Sequence, residues 1–195
     1  MRIFIALDID EPIRQRIAGL MEGVCGFAPG VRWVKPESLH VTLKFIGEKP
    51  LEKVEEIKRA LAAIHAGSAE IAFRSYGFFP TAKSARVFWI GIEAAPQLTE
   101  LVNAVEEATF ALGIPKEDRP YSPHLTLARG GGGSGSPARR KDDAANKNFR
   151  VLQEKLAAFP VPEFGTMTAH EFFLYQSQLL RGGARYTKIE RFTLK

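Results

Sequence analysis

The sequence predicts an α+β fold with an internal pseudo-repeat, in which antiparallel or mixed sheets carry helices on their outer faces. Strand-like and helix-like segments follow one another in the order βαββαββαβαββ, and short turns join neighbouring strands. The chain has 195 residues, of which 45% are hydrophobic and 25% charged. This balance is typical of a globular protein with one substantial core, so we expect a single unit with two lobes.

In the first half of the chain, alternation of residues predicts strands and apolar spacing of three and four residues predicts helices. The segment IFIALD predicts the first strand. The run VRWVKPESLHVTLKFIG predicts a short strand and then, from Leu39 to Gly47, a β-rich strand. The same criteria predict helices over 11–24 and 51–64, and two more strands over 71–79 and 86–92.

The second half partly repeats this order, which is the basis of the predicted pseudo-repeat. A helix is expected to begin at Pro96 and to end near Leu112, and the turn region PKEDRPYSP leads into the strand HLTLAR. A helix from about 146 to 158 and strands over 168–176 and 184–194 complete the chain.

Composition predicts a protein of a reducing compartment without membrane contact. The single cysteine, Cys25, has no partner for an internal disulfide. No apolar run approaches the roughly 20 residues that span a bilayer. The segment MRIFIALDID contains early acidic residues and no cleavage site, which predicts a strand instead of an export signal. We therefore expect a cytoplasmic protein.

The chain is basic, with a formal net charge of +5 and a pI of 9.4. Lysine and arginine near phosphates release condensed counterions, so basic proteins favour polyanionic partners. A solvated positive face would give the same excess charge, and the charge alone favours neither explanation.

Two of the four histidines lie in matching frames, LHVTL at 39–43 and PHLTL at 123–127. One H-x-T in a strand is more often a structural histidine beside a threonine favoured by strands. Duplication reverses this preference, because a buried core does not require histidine at the same place twice. The two frames predict one cleft between two related halves. The other histidines, His65 and His170, have no such frame and are assigned to surface or packing positions.

Strand alternation predicts which side chains of the first frame share a face. His40, Thr42 and Lys44 should point one way, and the residues between them, as well as Phe45, should point to the core. In the second frame, the histidine and threonine should share a face in the same manner.

This set of groups has the chemistry to open a cyclic phosphate. The reaction needs a base that accepts a proton from water and an acid that protonates the departing sugar oxygen, and His40 and His124 can supply both because imidazole titrates near neutral pH. The hydroxyls of Thr42 and Thr126 can donate hydrogen bonds to the non-bridging oxygens. Two cations are further candidates for substrate binding, Lys44 and Arg129, although strict alternation turns Arg129 away unless the strand ends there.

With these motifs the sequence resembles the two-histidine phosphoesterases, and among them the RNA 2′,3′-cyclic phosphodiesterases first described as 2′-5′ RNA ligases. The resemblance covers nearly the whole chain, and it rests on FIALDI, LHVTLKFIG, GFFPTAKSARVFWIGI, PYSPHLTLAR and SQLLRGGARYTKIERFTL. It implies a bilobal α+β fold around a pseudo-twofold groove and hydrolysis of RNA cyclic phosphate ends to 2′-phosphates. It also implies that His40 is the proton donor and His124 the proton acceptor.

The chain departs from the family pattern after Arg129, where GGGGSGSPARRKDDAAN replaces a shorter basic turn. Its Gly/Ser-rich part resembles a flexible linker, so residues 130–143 are predicted to form a flexible loop within one catalytic domain over 1–195. Arg139, Arg140 and Lys141 are candidates for RNA contact, but a solvated loop is favoured.

Two other enzyme classes have weaker support. The insertion matches GxGxxG at Gly130, Gly132 and Gly135, but a dinucleotide site needs a helix at the third glycine within a parallel βαβ unit, whereas Ser136 and Pro137 follow here. A metal hydrolase would need about three protein ligands for zinc, and the sequence has neither HExxH nor a cysteine pair. We therefore expect no metal site and no cofactor.

A non-catalytic RNA-binding module is the rival from another class, with Phe45, Tyr121 or Trp89 stacking on a base. Trp89 lies in a predicted strand, where a core position is favoured. Two complete motifs favour catalysis, since binding alone needs no donor and acceptor pair. Within the enzyme class, 2′-5′ RNA ligation is the alternative, because it is the reverse step on the same histidines. The expected partner is RNA with a 2′,3′-cyclic phosphate end, bound by a monomer.

Overall fold

The computed structural model describes residues 1–130, 141–180 and 183–195, and these contain nine strands and four α-helices. In chain order the elements are β1 (Arg2–Leu7), α1 (Glu11–Val24), β2 (Val31–Trp33), β3 (Val41–Glu48), α2 (Leu51–Ala62), β4 (Ala69–Phe79), β5 (Val87–Ala94), α3 (Pro96–Phe110), β6 (His124–Gly130), α4 (Lys141–Leu156), β7 (Glu163–Ala169), β8 (Glu171–Leu180) and β9 (Gly183–Thr193). Short 3₁₀ turns occur at Cys25–Phe27 and Pro36–Ser38.

The strands form two sheets, and each sheet uses strands from both halves of the chain. The first sheet has the order β3-β1-β8-β9, and the second has the order β2-β6-β5-β4-β7. Neighbouring strands in both sheets run antiparallel. The predicted α+β class is confirmed, and the sheets are antiparallel and not mixed.

The helices are held to the sheets by apolar stripes. Helix α1 buries Ile13, Ile17, Met21 and Val24, which recur at helical spacing. These side chains join one apolar cluster that extends through both sheets. Each buried aliphatic side chain contributes about 1.5–3 kcal/mol relative to an exposed one, so this cluster fixes the two sheets with respect to one another.

Strand β7 was not predicted from the sequence. The segment 168–176, predicted as one strand, contains the end of β7 and the start of β8, which are separated at His170. Gly165, with φ 117, and the prolines just before β7 interrupt the alternation that marks a strand. Pairing of β7 with β4 nevertheless forms the strand, because tertiary pairing overrides weak local preference.

The start of helix α4 also differs from the prediction. The helix begins at Lys141, so the last three residues of the predicted loop are helical. The rest of that loop after Gly130, with Arg139, Arg140 and two glycines of the GxGxxG match, lies outside the described residues. Among the described residues, no helix is both long and apolar enough to cross a membrane.

Candidate active site

The two motif histidines make the same local hydrogen bond. The Nδ1 atom of His40 lies 2.7 Å from the carbonyl oxygen of Ser38, and the Nδ1 atom of His124 lies 2.8 Å from that of Ser122. A carbonyl oxygen can only accept, so each Nδ1 carries the proton and donates it. The Nε2 atom of each ring is therefore the nitrogen left for proton exchange. The two motifs also share Ser-x-His spacing in the sequence, which is the signal for this hydrogen bond.

A β-bulge follows the threonine of each motif at the same place. Leu43 has no partner between Thr42 and Lys44 in the pairing of β3 with β1, and Leu127 has none between Thr126 and Ala128 in the pairing of β6 with β5. An extra residue of this kind reverses the alternation of all later side chains in its strand. The two bulges thus alter both motifs in the same way.

The bulges correct two predictions about side-chain direction. Phe45, predicted to face the core, has 54% of its surface exposed and lines the cavity beside the motifs. Arg129, which strict alternation turned away, is exposed and lines the same cavity, although β6 continues through it to Gly130. Phe45 and Arg129 occupy equivalent positions, each five residues after its histidine.

The cavity has a volume of about 470 Å³ and receives side chains from both motifs. Thr42, Thr126 and His124 line it, together with Phe45 and Arg129. Tyr121 joins the two motifs directly, since its hydroxyl donates a 3.1 Å hydrogen bond to the carbonyl oxygen of Thr42. Burial raises the pKa of Tyr121, so the phenol stays protonated as a donor.

Aromatic rings surround both imidazoles. The ring centroid of His40 lies 4.7 Å from that of Phe4 and 5.1 Å from that of Tyr186. His124 lies edge-on to Phe79, with centroids 5.0 Å apart, and 6.4 Å from the half-buried Trp89. Trp89 thus packs beside a motif histidine and not in the middle of the core.

Burial lowers the pKa of both imidazoles, for His40 to about 4. The Ser38 and Ser122 carbonyls act in the opposite direction, because they accept a hydrogen bond that is stronger from a charged ring. The guanidinium of Arg129 lowers the pKa of both histidines, so its charge acts on the two rings together. Both imidazoles are therefore neutral near pH 7 in the free protein, and the pKa of His40 is lowered further than that of His124.

Lys44, predicted to bind substrate, is placed in the wall of the cavity with its ammonium group turned into the protein. Its side chain is 1% exposed. The ammonium pairs with Glu106 and donates a 2.9 Å hydrogen bond to the carbonyl oxygen of Pro115. The bulge at Leu43 explains this placement, because it moves Lys44 off the face that carries His40 and Thr42.

The loop before His40 is held by Arg14, a residue that sequence reasoning did not select. Its guanidinium donates to the carbonyl oxygens of Pro36 at 2.7 Å and Leu39 at 3.3 Å, and it pairs with Asp8 at 2.6 Å. These bonds fix the segment that presents the Ser38 carbonyl to His40. An arginine on a helix gives no sequence signal for such a contact, since its partners are backbone atoms of a distant loop.

The other predicted histidine positions are surface sites. His65 and His170 are both exposed, as expected from their lack of a frame. Among the residues whose side chains the structure describes, 1–130, 149–180 and 184–195, no three His, Cys, Asp or Glu side chains form a group that could hold a metal ion.

Comparison with known proteins gives two matches to one family model, described as LigT like Phosphoesterase, over residues 7–89 and 90–186. Each match contains one histidine motif, in agreement with the pseudo-repeat. An RNA 2′,3′-cyclic phosphodiesterase of Archaeoglobus fulgidus is 33% identical over 192 residues, which cover 98% of this chain and 99% of the relative. One of Methanocaldococcus jannaschii is 33% identical over 190 residues, with 97% and 99% covered.

Solved structures agree with the sequence relatives. TT0787 of Thermus thermophilus has a TM-score of 0.74 and 28% identity, covering 100% of this chain and 98% of that chain. E. coli LigT complexed with 3′-AMP has a TM-score of 0.76 and 27% identity, with 99% and 97% covered. The matched motifs, the two-sheet fold and these relatives lead to one conclusion: the chain belongs to the LigT-like phosphoesterase family.

Proposed function

We propose that this protein hydrolyses RNA 2′,3′-cyclic phosphate ends to 2′-phosphates, with His40 and His124 as an acid and base pair and no metal ion in the step. The observation that carries the proposal is the matched pair of imidazoles, each with Nδ1 bonded to a carbonyl and Nε2 left for proton exchange. The relatives named RNA 2′,3′-cyclic phosphodiesterases support RNA as the substrate.

In the proposed step, water attacks phosphorus while the Nε2 atom of His124 accepts its proton. The bond between phosphorus and O3′ breaks, and the Nε2–H of His40 protonates the departing oxygen, which leaves a 2′-phosphate. This assignment of the two roles follows the family resemblance. Because His40 is neutral in the free protein, we propose that the anionic phosphate raises its pKa on binding and brings it into the donor form.

Three side chains are proposed to bind the phosphate itself. Thr42 and Thr126 donate hydrogen bonds to the non-bridging oxygens, and Arg129 supplies the positive charge. Arg129 lines the cavity and its charge lowers the pKa of both imidazoles, which supports a place near both rings. Lys44 is proposed to act indirectly: its ion pair with Glu106 holds β3 against α3 and so positions the first motif.

The reverse step, with an RNA 5′-hydroxyl in place of water, would form a 2′-5′ linkage on the same two histidines. We propose hydrolysis as the main direction, since water is the more abundant nucleophile. The exposed, unpaired Cys25 suits a reducing cytoplasm, where we expect the protein to act as a monomer.

The experiment is incubation with an oligoribonucleotide that ends in a 2′,3′-cyclic phosphate, before and after exhaustive chelation. We expect ring opening at the same rate in both samples, because imidazole and hydroxyl groups supply proton transfer and charge stabilisation without a Lewis acid. Loss of turnover on chelation, with recovery on addition of zinc or manganese, would contradict the metal-free step. Absence of turnover in both samples would contradict hydrolysis.

A further inference from the structure

A second cavity, of about 760 Å³, lies beside the first on the His40 side. Phe4 and Tyr186, whose rings contact His40, form part of its wall. Phe45 and Arg129 line both cavities, so the two spaces meet at these side chains. The phosphate position proposed above therefore lies between two pockets, each of a size that holds a ligand of roughly nucleotide dimensions.

The two cavities differ in charge. Among the described residues, the larger cavity is lined by four cations and no carboxylate, and the cations are Arg2, Arg32, Lys35 and Arg129. The smaller cavity also has four cations in its lining, but three carboxylates offset them, and these are Glu106, Glu107 and Glu117. A chain of phosphodiesters is therefore attracted more strongly to the lining of the larger cavity than to that of the smaller one.

Three cations of the larger cavity are available to an incoming anion. Within the described residues, no carboxylate pairs with Arg2, Arg32 or Lys35, and all three are exposed. By contrast, two of the four cations of the smaller cavity, Lys44 and Lys116, already pair with Glu106 and Glu107. Unpaired cations gain more from an incoming phosphate, because no existing ion pair must be broken.

An aromatic surface accompanies these cations. Phe45 has 54% of its surface exposed at the junction of the two cavities, and Trp33 and Tyr186 line the larger one. Exposed aromatic rings interleaved with cations are the usual surface for single-stranded nucleic acid, since bases stack on the rings while the cations follow the backbone. The larger cavity has both components.

We propose that the larger cavity binds the RNA segment immediately 5′ of the cyclic phosphate, with its phosphodiester on Arg32, Arg2 and Lys35 and a base on Phe45, while the terminal nucleoside occupies the smaller cavity. The inference rests on the proposed function and specifies its substrate class. The preferred substrate is then a single-stranded oligoribonucleotide, and a nucleoside 2′,3′-cyclic monophosphate, which lacks the 5′ segment, is a poorer one.

The test compares kcat/KM for a cyclic mononucleotide and for a short single-stranded oligoribonucleotide with the same terminal base. Arg32→Ala and Lys35→Ala should each lower the oligonucleotide value about tenfold and leave the mononucleotide value within twofold. The slope of log kcat/KM against log salt should become shallower by about 0.7 for each cation that no longer meets a phosphate. Arg59→Ala, an exposed arginine on α2 that lines neither cavity, is the matched control and should change neither substrate.

Equal losses on both substrates, or no loss on either, would overturn the inference while leaving the proposed function intact. If the unaltered protein opens neither substrate, the proposed function fails instead. Fluorescence anisotropy with a 3′-phosphorylated oligoribonucleotide still tests the cavity in that case. Binding that Arg32→Ala does not weaken would contradict the inference, and unfolding curves for each variant exclude loss of the fold.

Discussion

The two candidate catalytic histidines each make the same type of hydrogen bond, but their surroundings differ. Both donate Nδ1–H to the carbonyl two residues earlier. His40 lies against Phe4 and Tyr186, and burial lowers its pKa to about 4, whereas His124 lies edge-on to Phe79. The pair therefore has one hydrogen-bond geometry and two electrostatic environments. In the free protein the pKa of His40 is the more strongly lowered, so the donor role proposed for His40 requires the bound phosphate to raise that pKa.

Replacement of either histidine tests whether they act as a unit. We expect His40→Ala and His124→Ala each to lower kcat by about 10²–10⁴-fold, the usual contribution of a positioned acid or base. The kcat of the double variant should be little lower than that of either single variant, because the reaction needs both proton transfers. Near wild-type turnover in one single variant, or multiplied losses in the double variant, would contradict the pairing. Steady-state kinetics on a cyclic-phosphate RNA give the answer.

The threonines should contribute less than the histidines. Thr42→Ala and Thr126→Ala each remove one hydrogen bond to the phosphate, at a cost of about 1–4 kcal/mol of transition-state stabilisation. Thr81→Ala, an exposed turn residue that lines neither cavity, serves as the control. Losses in kcat/KM above about 10³-fold, more than one hydrogen bond to the phosphate supplies, would contradict simple phosphate binding by the hydroxyls.

Proton uptake on binding tests the role of His40. At pH 7 the free protein holds His40 neutral, because its pKa is lowered to about 4. A donor must be protonated in the complex, so binding of a cyclic nucleotide should take up roughly one proton. The inactive His124→Gln variant allows calorimetry without turnover, in buffers of different ionisation enthalpy. If no proton is taken up, His40 stays neutral in the complex and would be the proton acceptor. The double variant with His40→Gln and His124→Gln is the control, because it has neither imidazole.

At the scale of single elements, the bulges in β3 and β6 decide which side chains line the cavity. Alternation correctly placed Thr42, His124 and Thr126 at the cavity, since these residues precede the bulges. It failed at Phe45, Arg129 and Lys44, which follow them. Leu43 and Leu127 are ordinary strand residues, and only their pairing with β1 and β5 makes them bulges. Local sequence carries no signal for that pairing.

Strand β5, which pairs with the His124 strand β6, makes a close contact with β4 that can be tested. A Cβ atom at Gly77 would lie 2.1 Å from the ring of Trp89, whose other neighbours include Phe79 and His124. We expect Gly77→Ala to destabilise the protein by about 1–3 kcal/mol and to lower kcat, because the displaced indole disturbs His124. Denaturant unfolding and turnover of the same sample measure both effects.

Gly19→Ala is the matched control for this substitution. Gly19 lies in helix α1, and a Cβ atom there would meet nothing within 4 Å. Alanine should stabilise the helix by about 0.5–1 kcal/mol without any effect on turnover. If Gly77→Ala behaves like this control, Trp89 does not position His124.

At the scale of the whole molecule, the two halves of the chain are interleaved. Strands β8 and β9 from the end of the chain complete the sheet that contains the first motif, and β2 from the first half pairs with β6 of the second motif. The order of strands and helices within each half indicated the pseudo-repeat. The exchange of strands between the halves could not be predicted, because it depends on contacts between distant segments. For the same reason the larger cavity could not be predicted, since its lining residues lie far apart in sequence.

Interleaving predicts that the protein unfolds as one unit. Neither sheet retains all its strands if the chain is divided, so both should lose structure in one cooperative transition. Fluorescence of Trp33 and Trp89 reports on the second sheet, and amide hydrogen exchange in β1 and β8 reports on the first. Coincident midpoints in denaturant are expected. Two separated transitions would show that the lobes are independent domains.

The measurement that tests the central claim most directly is the identity of the opened end. An in-line displacement between one donor and one acceptor puts a single ring oxygen beside the donor, so only one regioisomer can form. With His40 beside O3′, hydrolysis of a cyclic-phosphate RNA should give the 2′-phosphate alone, as resolved by chromatography against both standards. A product that is mainly 3′-phosphate, or an equal mixture, would contradict the arrangement of the two histidines proposed for this protein.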